Sequence, residues 1–366
     1  VLKKSFVHGV LHKDLLQNPQ DIFFNLHTKP MLIILKVDWI ISMIINSSNS
    51  WSPLKEVWLG DVYPADWYDH LPTQVRDAFR TITEITKEDL DIIQTTIESF
   101  GVHVRRPTYD NIDSFIDTYT RQLIKPQITP RDQFVTLGNK LIAHKWHTKA
   151  WESVLEEYKL DTECSVILTD NTALNGANVV RMNKDLIIDT EHGEQMNNDF
   201  LKDYNVTIVN NGGHVDGCFA ILKPGLLIAS DYFPSYDETF PGWTKINLSN
   251  PEFEKHPETI KWHTKLKKGF THNGKWWIPD VNINDNKSFG KHVEQHAVDW
   301  VGDYTETYFE LNCLVIDEQN VIMLGGNKNL ELQLAKHDIQ VHWVPFRTRC
   351  FWDGGMHCLT VDIHRR

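Results

Sequence analysis

The sequence predicts an α/β domain of repeated ββα units whose two ends meet to close a ring. Three observations predict it: an apolar strand, tight polar turn and second apolar strand recur four times; helical-period segments lie between these hairpins; and a C-terminal strand can pair with one near the start. An ordinary α+β domain whose hairpins merely resemble one another is the alternative.

Taken in order, the hairpins are Gln133 to Ala143, Val179 to Ile188, Cys218 to Ala229 and Cys313 to Met323. Gly138-Asn139, Asn183-Lys184-Asp185, Pro224-Gly225 and Asp317 to Asn320 sit near their midpoints, where a reversal needs unusual or preset backbone angles. A fifth unit would pair Leu359 to Ile363 with Val57 to Leu59 and so join the ends. Between hairpins, Pro72 to Phe100 carries Val75, Phe79, Ile82, Ile85, Ile92, Ile93 and Ile97 at roughly helical spacing, and Lys145 to Tyr158 and Leu330 to His337 read alike. Units recurring at roughly 40 to 50 residues bury their faces by packing on neighbours. Ser230 to Asp303 interrupts the series as a long insertion expected to carry specificity, with Trp276-Trp277 as packing residues.

The composition limits the function. A formal net charge of −12 argues against nucleic-acid or anionic-membrane partners and suits small cationic ligands. Five cysteines, at 164, 218, 313, 350 and 358, form no CxxC and read as reduced thiols of a cytoplasmic protein rather than a disulfide framework. The most apolar stretch, Met31 to Ile45, is too short to span a bilayer and contains Lys36 and Asp38. Residues 1–45 lack the later periodicity and are set apart as an N-terminal extension, leaving 46–366 as the domain.

The residue just before each hairpin's first strand is polar or reactive: Asp132, Asn178, Asp216 with His214 two positions earlier, Asn312 and Cys358. If the units surround a pseudo-axis, these positions converge. Two carboxylates hold a planar guanidinium by paired charge-assisted hydrogen bonds and leave its carbon open to attack by a thiol. Taken singly, each residue is an ordinary cap, loop or buried residue; the case rests on their coincidence. Cys350, His357, Cys358 and His364 do not reproduce zinc-site spacing, so neither metal nor cofactor is expected.

From about Trp51 onward the chain resembles the glycine (arginine) amidinotransferases, members of the guanidine-modifying superfamily that includes arginine deiminases. The landmarks are Trp51-Ser-Pro-Leu-Lys-Glu-Val57, Pro130-Arg-Asp132, Gly176-Ala-Asn-Val-Val-Arg181, His214-Val-Asp216 and, most specifically, Gly354-Gly-Met-His-Cys-Leu-Thr-Val-Asp362. The resemblance implies a five-bladed, pentein-type α/β propeller of ββαβ units with its site on the axis. It implies Cys358 as nucleophile, His214 as general acid/base, and Asp132 and Asp216 as the guanidinium grip. Asn178, Arg181 and Asn312 join them on the substrate-binding side. The implied reaction moves the amidino group of arginine, or a similar guanidine, to a small amine through an amidino-cysteine adduct.

Two positions depart from that pattern. Asn175 stands where the family has a carboxylate that orients the histidine; the matching Asp→Asn change in a Ser-His-Asp triad costs about 10⁴-fold, while Cys-His-Asn works in papain-like proteases. Phe233 falls about where the amidinotransferases have an arginine for the donor carboxylate, a role left to Thr305 or to a basic residue elsewhere. A guanidine hydrolase and a catalytically silent propeller that binds guanidino compounds are the alternatives. Strand alternation would turn His357 away from the thiol and keep it from acting as the base. Small-molecule substrates are the expected partners, and homodimerisation is left open.

Overall fold

A computed structural model describes residues 44–145, 148–159, 165–169, 175–189, 201–209, 214–231, 233, 235–250, 286–301 and 308–366. The expected extension up to 43, Cys164, Thr305, Trp276-Trp277 and much of the insertion lie outside the described residues.

The architecture is mixed α/β. Fifteen described strands form five separate three-stranded sheets. Four of them begin with the expected hairpins: β3 (Phe134–Leu137) with β4 (Lys140–His144), β6 (Val179–Met182) with β7 (Asp185–Asp189), β9 (Phe219–Lys223) with β10 (Leu226–Ala229), and β12 (Leu314–Asp317) with β13 (Asn320–Leu324). Each second strand then takes a parallel third: β5 (Ser165–Thr169), β8 (Asn205–Val209), β11 (Thr244–Asn247) and β14 (Gln340–Val344). A parallel neighbour needs a crossover, which is where helices belong. The helices Glu152–Lys159, Tyr236–Thr239 and Lys328–Ala335 fall in such crossovers.

The fifth sheet repeats this pattern with pieces from both ends of the domain. β15 (Thr360–Arg365) pairs antiparallel with β1 (Leu54–Leu59) in the register Val57↔Asp362, Trp58↔Val361 and Leu59↔Thr360, and β1 pairs parallel with β2 (His103–Arg105). The helix Thr73–Glu98 makes that crossover and buries Val75, Phe79, Ile82, Leu90, Ile93 and Ile97 on one face. Ile92, included in the apolar stripe by spacing, is 47% exposed. Its side chain falls off the core-facing arc of the helix. Among the described residues no helix is long and apolar enough to cross a membrane.

Two features join the units. Residues 46–49 run across three of them, bridging Asn46 to His364, Ser47 to Gly138 and Asn49 to Met182. Beneath that segment, Asp362 of β15 is buried among three guanidinium groups. Arg181 reaches its two oxygens at 2.7 and 2.6 Å, Arg131 at 2.8 Å and Arg365 at 2.7 Å. The Arg181 charge also binds the Ser47 hydroxyl at 2.7 Å and the Thr136 carbonyl at 3.2 Å. A cavity of about 30 Å³, room for roughly one water, is lined by residues of β6, β9, β12 and β15 together with Asp216 and His357. The first strands of four units therefore face one another.

Candidate active site

Each first strand is entered through a turn, and the turns carry the reactive groups. Single 3₁₀ turns at Pro130–Asp132, Gly176–Asn178 and Val215–Gly217 lead into β3, β6 and β9 and pack side by side. Sequence sets two of them: Pro130 supplies a preset φ to the first, and Asn175 caps the second by accepting from the Ala177 amide at 2.9 Å. Gly176 permits the close approach. A Cβ there would lie 2.3 Å from the Phe134 carbonyl oxygen and 2.4 Å from that of Arg131.

Cys358 lies in the turn 356–359 ahead of β15 and is 3% exposed. Asn312, ahead of β12, clamps it twice: its Oδ1 accepts from the Cys358 amide at 2.9 Å and its Nδ2 donates to Sγ at 3.0 Å. The backbone donor fixes which end of the Asn312 amide is oxygen, so an N–H is aimed at sulfur, where it favours thiolate. Gly355 makes room for the clamp, since a Cβ there would sit 2.5 Å from Asn312 Cβ.

The thiol also lies 3.5 Å from Asp216 Oδ2, the oxygen that His357 Nδ1 meets at 2.7 Å. This corrects the strand-alternation argument for His357, not its expected exclusion as the base. β15 begins only at Thr360, so residues 356–359 follow turn geometry and strand alternation does not turn His357 away. Burial, reinforced by Arg131, pushes His357 down against the pull of Asp216. Burial raises Asp216, but the hydrogen bond from His357 and nearby positive charge outweigh it and hold the carboxylate low.

On the other side, His214 Nε2 lies 3.3 Å from Asn175 Nδ2, and its Nδ1 lies 4.0 Å from Asp132 Oδ1. Three buried oxygens from three successive turns, Asp132 Oδ1, Asn178 Oδ1 and Asp216 Oδ1, have no hydrogen-bond donor among the described residues. Buried acceptors without partners are costly, and a planar ligand rich in N–H groups would satisfy them.

The structure thus brings Cys358, Asn312 and Asp216 into contact, and sets His214 beside Asn175 and near Asp132. Arg181 is a correction. Expected on the substrate side, it is 3% exposed and its guanidinium is committed to Asp362, Ser47 and Thr136. Phe233 is buried, stacking on Phe219 at 5.5 Å and meeting Tyr236 edge-on at 4.8 Å.

No protein-family model matches the chain. It is 21% identical over 262 residues to the mitochondrial glycine amidinotransferase of Gallus gallus, covering 67% of this chain and 52% of that protein, about half its length. It is also 21% identical over 378 residues to inosamine-phosphate amidinotransferase 1 of Streptomyces glaucescens, covering 88% of this chain and 97% of that protein. Among solved structures, an amidinotransferase of the saxitoxin biosynthetic pathway from Microseira wollei superposes with a TM-score of 0.62 at 17% identity, over 88% of this chain and 97% of that one. The inosamine-phosphate amidinotransferase of Streptomyces griseus gives 0.60 at 18%, with the same coverage. The chain shares the fold of these enzymes, and its curated relatives are amidinotransferases.

Proposed function

We propose that this protein is an amidinotransferase that moves the amidino group of arginine, or of a similar guanidine, to a small amine through a covalent adduct on Cys358. In this reading the five sheets are blades of a propeller, a reading supported by their shared strand pattern and by the first strands that line one cavity. One observation carries the chemistry: three buried acceptor oxygens, on Asp132, Asn178 and Asp216, that have no donor among the described residues stand with a thiol that an amide N–H and a carboxylate already engage.

A guanidinium bound to those oxygens would bring its positive charge to the thiol and favour thiolate. Sulfur attacks the guanidinium carbon, the bond to the departing amine breaks, and His214 gives that nitrogen a proton. The acceptor amine, losing a proton to the same imidazole, attacks the Cys358 adduct, and the carbon–sulfur bond breaks to return the thiolate, with His214 again carrying its proton. Water in the acceptor's place would give a urea. Amine is preferred because the curated relatives are transferases.

Phe233, stacked on Phe219 in the core, supplies no charge for a donor carboxylate, so guanidines without one are tested alongside arginine. The test is product analysis with arginine, agmatine and simple guanidines against a panel of primary amines. New guanidines formed only when amine is present support transfer. Urea products formed at the same rate without amine contradict it.

A further inference from the structure

We infer that Asn175 locks His214 in the tautomer that carries its proton on Nδ1, and so brakes the proton transfers of the proposed reaction, on which this inference rests. Asn175 Oδ1 accepts from the Ala177 amide at 2.9 Å, a donor whose identity is not open to reassignment. The other end of the same amide, Nδ2, therefore faces His214, and Nε2 at 3.3 Å has to accept from it. The imidazole proton is left on Nδ1, on the side of Asp132 Oδ1 at 4.0 Å.

A carboxylate at 175 would do the reverse. It would accept from both the Ala177 amide and Nε2–H, leave the Nδ1 lone pair ready to take a proton, and stabilise the imidazolium that forms. With Asn175, an imidazolium sets Nε2–H against Nδ2–H. His214 can accept and return a proton only if the Asn175 amide turns over, which breaks the Ala177 bond. Asn175 is thus a positioning residue whose effect runs through His214; Cys358 is held by Asn312 and stays as it is.

The experiment compares the full chain with Asn175→Asp, which keeps an oxygen for the Ala177 amide. Nitrogen-15 NMR of histidine-labelled protein at mildly alkaline pH reads the tautomer, with the His214 signals identified by their loss in His214→Gln. Wild type is expected to show His214 protonated on Nδ1, and Asn175→Asp to show it on Nε2. An Nε2-protonated His214 in wild type overturns the inference. Turnover is read alongside: Asn175→Asp is expected to gain between about 10-fold and about 10⁴-fold, the upper bound being the size of the opposite change in a serine triad. A wild-type Nδ1 tautomer with no gain in turnover overturns the brake. If neither protein turns over any guanidine or forms an adduct, the amidinotransferase reading fails, and the tautomer result still decides the claim about Asn175.

Discussion

Asn312 is the residue through which the thiol is controlled. It holds both the backbone and the sulfur of Cys358, and the missing Cβ of Gly355 gives it the space to do so. Asn312→Ala removes the N–H aimed at sulfur and leaves the Cys358 amide without its acceptor. The thiol should then titrate higher, and alkylation of Cys358 at neutral pH should slow by about 10-fold, the equivalent of one hydrogen bond of about 1.4 kcal/mol. Gly355→Ala should produce the same slowing by displacing Asn312, with Cys358 still present. Both are read by the pH dependence of iodoacetamide labelling mapped to Cys358. Position marked Cys358, Asp132 and Asp216 as candidates, because each precedes a hairpin's first strand, and the family resemblance gave them their expected roles. The clamp was not legible, since nothing in the sequence says that Asn312 and Cys358, 46 positions apart, share a hydrogen bond. Nor was the setting of His357, which turns on where strand gives way to turn, a boundary that one residue's shift reverses.

At the scale of elements, hairpins and helices were readable because each has its own period and punctuation. Asn183 and Gly138, at positive φ of 64° and 59°, lie at turns the sequence had marked. The helix Lys287–His296, by contrast, falls within the stretch read as loops. Its face against Phe79 includes His292, edge-on to that ring at 5.8 Å. A polar residue on the packed side hides the apolar stripe that pattern reading depends on. Burial, with His296 and His70 close by, pushes His292 down to about 4. The folded imidazole thus stays neutral where the unfolded one protonates. Between roughly pH 6.5 and 4 the unfolded chain binds the extra proton, so this residue withdraws stability as pH falls through that window. Melting temperatures taken across it should drop with pH, and His292→Leu should flatten the slope.

For the whole molecule, the two ends contribute one shared sheet, in which β1 pairs with β15, and Asp362 stands where β15, the turn before β3 and β6 meet. Burial alone would raise its pKa, but Arg181, Arg131 and Arg365 outweigh that and hold it well below the usual carboxylate range. A depressed carboxylate adds stability above its unfolded pKa of about 3.9, and that stability is lost as pH falls through the folded value. Acid unfolding is therefore expected to set in below about pH 4. Asp362→Asn leaves three buried guanidinium groups without their carboxylate and should cost about 3–5 kcal/mol by urea denaturation. That the ends pair was visible in the sequence from two matching apolar strands. The ionic cluster was not, because Arg131, Arg181, Asp362 and Arg365 gain their meaning only once the fold brings them together. Arg181 was accordingly assigned to the substrate.

The proposed reaction depends on a carbon–sulfur bond at Cys358, and that bond is directly measurable. The protein is incubated with guanidino-labelled arginine and, in parallel, with labelled agmatine, quenched in acid, and examined by intact mass and peptide mapping. The account predicts an amidino increment on Cys358, absent from Cys358→Ser and discharged when an acceptor amine is added before the quench. A folded protein that carries no label on Cys358 from either guanidine, and turns over neither, would contradict it.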